Sequence, residues 1–121
     1  MAVLVIAEHD NSVLKTSTFN TITAATNLSD DIHLLIIGKD IETLSNNAKS
    51  IYPIKKVLKC DNSKLENFIP ELSAPIISNI ANGYTHILAP ASTFGKNLLP
   101  RVSALLDITQ ISDVIEIVTE N

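Results

Sequence analysis

AVLVIA, residues 2–7, decides the fold. Six apolar residues follow one another with no polar alternation, so a strand with one wet face is excluded. A short, β-branched run of this kind belongs to a strand covered on both faces, as in a parallel sheet enclosed by helices. IHLLII at 32–37 repeats the pattern. VLKC at 57–60, HILAP at 86–90 and VIEIV at 114–118 are further strand candidates, the last alternating like an edge or half-covered strand. Helix-compatible stretches lie between them. Residues 17–28 put Phe19 and Ile22 on one face with Ser17 as N-cap. Residues 40–51 start at Asp40 as cap and align Ile41, Leu44, Ala48 and Ile51. From Leu65 to Asn82, Phe68, Ile69, Leu72, Ile76, Ile77 and Ile80 form an apolar series that stops at Gly83, a C′ residue. Pro70 and Pro75 predict a short first turn and then the main helix. Strands alternating with helices define an α/β class with a parallel sheet and right-handed crossovers.

The totals agree. The chain has 121 residues, 45% of them hydrophobic, with no tryptophan, which sets one domain with an aliphatic core. A net charge of −4 speaks against nucleic acid. The densest basic spot, Lys55, Lys56 and Lys59, reads as a solvated strand end. The single Cys60 cannot pair internally, which suits a reducing compartment. No run reaches the ~18 apolar residues of a membrane span. The opening MAVLVIAEHD has no basic n-region for a signal peptide. A cytoplasmic protein without membrane insertion is expected.

Chemistry centres on APASTFGKNLLPRV, residues 89–102. The Gly95–Lys96 pair suggests a phosphate loop, but a Walker A motif would need Gly at position 90 and Ser or Thr at 97, where the chain has Pro90 and Asn97. A weaker possibility is an anion corner at Ser92, Thr93, Gly95 and Lys96, with Ser92 or Thr93 capping a helix whose free amides face the ligand. The competing reading, which the frequency of plain helix starts favours, is a simple cap with Gly95 permitting close packing. Gly38, Gly83 and Gly95 are too scattered for GxGxxG. The loop EHDNSVLKTST has no glycine for a flavin phosphate. Glu8, His9 and Asp10 end the first strand, where open α/β sheets bind ligands. They read as an acid–base pair or, more simply, as a polar strand exit. His33 and His86 lack partners at metal-ligand spacing. A Ser92–His9–Asp113 triad lacks a G-x-S-x-G elbow. No catalytic or metal residue is assigned.

The stretch from Ser92, STFGKNLLPRVSALLDITQISDVIEIV, resembles the N-terminal domain of the electron transfer flavoprotein alpha subunit. VLVIAEHDNSVLKTSTFNTITAA is similar to the family's opening strand, loop and helix. LSAPIISNIANGYTHILAPASTFGKN is similar to its central helix and fourth strand, and KKVLKCDN to its third strand. The resemblance covers essentially residues 1–121, loosest between Asp40 and Ile54. It implies a three-layer Rossmann-like unit of the adenine nucleotide alpha hydrolase type. Its parallel sheet has about five strands in the order 3-2-1-4-5, with helices on both faces. It further implies a heterodimer with a beta subunit that uses FAD to carry electrons from flavin dehydrogenases, including those of fatty acid beta-oxidation, to a respiratory-chain oxidoreductase. The FAD of that family sits mainly on the alpha subunit's C-terminal domain, which would follow Asn121. No flavin-binding residue is therefore carried over, and the domain alone is expected to be without activity. The family's AMP belongs to the beta subunit, so the Gly95–Lys96 corner reads as a relict of a nucleotide loop. With no mitochondrial presequence, a bacterial source is expected. Leu98, Val102 and Leu105 are expected to pack inward if the last helix begins at Thr93. Pro100 then lies in its interior and should kink it; if a turn intervenes, Pro100 starts the main helix instead. Lys96 and Arg101 face outward as candidates for partner carboxylates, with solvated charges that meet no partner as the equal alternative. The rival function is a stand-alone nucleotide-binding regulator of the universal-stress type, and a hydrolase using His9 stands far behind.

Overall fold

The computed structural model describes residues 2–106 and the backbone of 110–111 and 116–118. Strand β1 (Ala2–Ile6) lies at the centre of the sheet. It pairs in parallel with β2 (Asp31–Gly38) on one side and with β4 (His86–Leu88) on the other. β3 (Ile54–Asp61) continues the parallel set beyond β2. The four parallel strands thus run β3-β2-β1-β4, in the expected order.

Beyond β4 the sheet differs from the expectation. β5 (Gln110–Ile111) and β6 (Glu116–Val118) complete the order β3-β2-β1-β4-β6-β5 among the described residues. β6 is antiparallel both to β4 and to β5. β5 therefore runs in the direction of the parallel set but lies one place out, with β6 folded back between it and β4. A return to β4 through so short a connection can only be antiparallel, because a parallel return needs a crossover of a dozen or more residues. The C-terminal strand expected within VIEIV is consequently an interior strand rather than an edge. Position 110–111 had carried no strand expectation.

Burial of β1 on both faces organises the layers. Val3, Val5 and Ala7 face helices α1 (Thr16–Ala25) and α2 (Glu42–Ala48), where they meet Ile22, Ala25, Ile41 and Leu44. Leu4 and Ile6 face α3 (Pro70–Ile80) and α4 (Thr93–Leu106), where they meet Ala74, Ile77, Leu98, Leu99 and Val102. Val3, Leu4, Val5, Ile77, Leu98 and Val102 are fully inaccessible to solvent. No described helix is long and apolar enough to cross a membrane.

Several local expectations need correction. Ser17 does not cap α1, because the helix starts at Thr16 and Lys15 holds the cap position. The Ser17 hydroxyl instead turns across to the strand end. Phe19 is largely exposed while Ile22 is buried, so the inner face of α1 runs through Thr18, Thr21, Ile22 and Ala25. Asp40 is not a cap either. It adopts a positive φ of 55°, and the carboxylate of Asp61 accepts hydrogen bonds from the amides of Asp40 and Ile41. The cap arrives from the end of β3 rather than from the helix's own sequence. Gly83 closes a 3-10 turn after α3 with a negative φ, so it is not a left-handed C′ residue. Leu105 is 56% exposed, and the neighbouring Leu106 packs against the core instead. Helix α4 runs on through Pro100, and α3 through Pro75. Both prolines stand on solvent-facing sides, where the carbonyl each leaves unpaired can be hydrated.

Truncation of the fully buried Ile77 to Ala should cost about 2–5 kcal/mol. The exposed Leu105→Ala should stay within about 0.5 kcal/mol. Urea unfolding of both variants distinguishes the two positions.

Candidate functional site

The parallel strand order reverses between β1 and β4, so the loops after these strands diverge there. In an open α/β sheet the crevice at such a point is the usual ligand position. Glu8 stands at the end of β1 and Ser92 at the end of β4, directly before α4. The two meet: Ser92 donates its hydroxyl to Glu8 Oε1 at 2.9 Å, and Ser17 donates to the same oxygen at 2.8 Å. Lys15 Nζ lies 3.7 Å from Glu8 Oε2, with the glutamate side chain only 14% exposed. The Glu8 backbone is held as firmly. Its amide donates to Thr18 Oγ1 at 2.8 Å, and that hydroxyl donates in turn to the Glu8 carbonyl at 2.9 Å. Thr18 is wholly buried.

His9 has defined roles for both ring nitrogens. Asn11 N–H donates to Nδ1 at 2.9 Å, so Nε2 carries the proton and donates to the Ile37 carbonyl at 2.9 Å. Burial foremost lowers its pKa below the usual histidine value, against the raising effects of the Ile37 carbonyl and Asp10. The ring is a neutral strut between the first loop and β2. It makes no hydrogen bond to Ser92, whose hydroxyl is given to Glu8, so these two members of the imagined triad are not joined. Asp113 lies outside the described residues. Asp10 accepts from the amides of Ser12 and Val13, which hold its exposed carboxyl below the ordinary range.

Asn11, which carried no role in the sequence reading, ties the loops together. At φ 71° its Oδ1 accepts from Lys39 N–H at 3.2 Å and its Nδ2 donates to the Glu66 carbonyl at 2.9 Å. Gly38 lies beneath it, where an added Cβ would come within 2.5 Å of Asn11 Oδ1. An Asn after three polar residues, in a loop without glycine, was the available signal for a left-handed position.

The four residues of the expected anion corner have separate duties. Ser92 serves Glu8. Thr93 opens α4 and lines an open cavity of about 280 Å³ shared with Glu8, His9, Phe68, Phe94 and Asn97. Gly95 is buried against the β4 exit, and a Cβ there would approach the Pro90 carbonyl oxygen to 1.9 Å. The Lys96 amide closes the first turn of α4 onto the Ser92 carbonyl at 2.9 Å, and its side chain points to solvent. Arg101 is also exposed, but it pairs with Glu71 of α3 at 3.0 Å. The remaining histidines are engaged as well. His33 joins Tyr84 Oη at 2.8 Å and Asp31 at 2.9 Å, burial raises the Tyr84 pKa, and His86 contacts Thr85. No group of three or more His, Cys, Asp or Glu among the described residues could hold a metal ion.

A phosphate or flavin pyrophosphate brought to this crevice would meet the Glu8 carboxylate between the two helix starts. The hydroxyls it would need are already given to that carboxylate. At this crevice the residues present therefore do not fit a flavin pyrophosphate. Fold and crevice define a Rossmann-like α/β domain with the Glu8 carboxylate set at the usual ligand position. A family model described as the electron transfer flavoprotein domain matches residues 3–121, and the chain belongs to that family. It is 45% identical over 119 residues to the electron transfer flavoprotein subunit alpha of Pseudomonas aeruginosa, covering 98% of this chain and 38% of that protein. The mitochondrial alpha subunit of Dictyostelium discoideum is 40% identical over 122 residues, with 94% of this chain and 34% of the relative covered. That of Arabidopsis thaliana is 38% identical over 124 residues, with 97% and 34% covered. The chain thus spans little more than a third of the length of these relatives.

Gly95→Ala should lose more than about 2 kcal/mol, because the obstacle is a backbone carbonyl with no room to move. Gly83→Ala, whose Cβ meets nothing within 4 Å, should be neutral or gain about 0.4–1 kcal/mol. Chemical denaturation of the pair separates packing from chain entropy. The lowered pKa of His9 fixes a second expectation. The unfolded state binds the proton more readily, so the contribution of the neutral ring is complete above about pH 6.5 and is lost as pH falls below it toward the folded value. Urea midpoints at about pH 7.5 and about pH 5.5 should fall more steeply for the wild type than for His9→Gln. Equal slopes would remove His9 from the acid response.

Proposed function

We propose that these residues form the N-terminal scaffold domain of an electron transfer flavoprotein alpha subunit. On this reading they are part of an FAD-containing heterodimer that shuttles electrons from flavin dehydrogenases to a respiratory-chain oxidoreductase. The observation that carries the reading is the match of residues 3–121 to the electron transfer flavoprotein domain. The Glu8 carboxylate set between Ser17 and Ser92 agrees with a domain that holds no flavin of its own. The crevice that would take a nucleotide is used to join two helices. Redox chemistry then requires a cofactor held elsewhere in the assembly, and this domain contributes rigidity and docking surface. The Ser92, Thr93, Gly95 and Lys96 corner serves the fold on this view.

A beta subunit is the expected partner. Lys96, exposed and in no ion pair with a described carboxylate, is the cation offered to it. Arg101, already held by Glu71, is the lesser candidate. A heterodimer of this kind would work in the bacterial cytoplasm, and the isolated domain would be colourless and inactive. The test is a titration of the chain with FAD and AMP, alongside capture of a separately expressed beta subunit. Capture without binding of either nucleotide is expected. Micromolar AMP binding that disappears in Lys96→Ala would reverse the assignment in favour of a nucleotide-binding regulator.

A further inference from the structure

Two long helices of this domain begin alike. Neither α1, of 10 residues, nor α4, of 14 residues, has an acidic residue in its first turn. The cap position of α1 makes no side-chain hydrogen bond. The serine before α4 spends its hydroxyl on Glu8 instead of on its own helix. Helix starts carry partial positive charge and are stabilised by a nearby negative group. One carboxylate answers both. Glu8 Oε1 accepts from Ser17 in the first turn of α1 and from Ser92 at the head of α4, residues 75 apart in sequence and attached to opposite faces of the sheet.

We propose that Glu8 is the positioning residue of this crevice, its carboxylate serving as an internal ligand that fixes the two helix starts in place of a bound anion. The backbone around it is set before the carboxylate acts, since buried Thr18 grips both the amide and the carbonyl of Glu8. Only the side chain completes the bridge to α4. Its removal leaves two serine hydroxyls facing a gap that already opens into a cavity of about 280 Å³. A small carboxylate from solution can enter there and restore the bridge.

The experiment compares the wild type, Glu8→Ala and Glu8→Gln by thermal melting in sodium formate, sodium acetate and sodium chloride at equal ionic strength. In chloride, Glu8→Ala should melt roughly 5–10 °C below the wild type. Formate should recover about half of that loss with a saturable dependence, acetate should act in the same direction, and the wild type should not respond. Glu8→Gln, whose amide fills the gap without charge, should be weakened and show no recovery. Rescue of all three proteins to the same extent, or of none, overturns the proposal. If Glu8→Ala does not fold in chloride, refolding in formate is followed by circular dichroism. Native signal in formate but not in chloride supports the proposal, and failure in both overturns it. The outcome is separable from the functional reading, because nucleotide binding by the wild type would sink that reading, whereas absent formate rescue would sink only the internal ligand.

Discussion

β1 must keep water from both of its faces at once, and the rest of the molecule follows from that requirement. Its alternate side chains enter two separate cores, one closed by α1 and α2 and the other by α3 and α4. A strand in this position has no solvent face to trade against a shift in register, since moving by one residue would exchange the contents of the two cores. The parallel pairing with β2 and β4 is fixed by the same burial. So is the placement of helices on both sides.

Where β1 ends, the two layers have to be joined, and the joint is polar. The first loop is stitched to β2 through His9 and Asn11, to α1 through Thr18 and Ser17, and to α4 through the Glu8 carboxylate. Each bond satisfies a group that would otherwise be costly to bury. The chemistry that a related fold could devote to a ligand is here directed inward. That is a coherent arrangement for a domain whose family is a flavoprotein family but whose own crevice is occupied by a carboxylate.

Part of this was legible beforehand. AVLVIA and IHLLII declared a doubly covered parallel sheet because continuous apolar runs have no other low-cost environment in water. The inner faces at Ile41, Leu44 and Ala48 and at Leu98 and Val102 followed from helical spacing, and they are buried. Gly95 was read as a packing glycine, and the Pro90 carbonyl beneath it supplies the reason. The caps were misread for a common cause. Ser17 and Asp40 have the right side chains but stand beside the cap positions, which Lys15 and Ile41 hold, and the carboxylates of Glu8 and Asp61 from strand ends take up the hydrogen bonding there.

The amino-acid sequence by itself determined the class of fold, the aliphatic core and the failure of the glycine pattern for phosphate binding. These depend on residue type and spacing within a single segment. Only the tertiary structure decided that β6 turns back beside β4, that Asp61 caps α2, and that one oxygen of Glu8 joins Ser17 to Ser92. Each of these depends on which distant groups reach hydrogen-bonding distance of about 3 Å, and that proximity exists only after both layers have closed on β1.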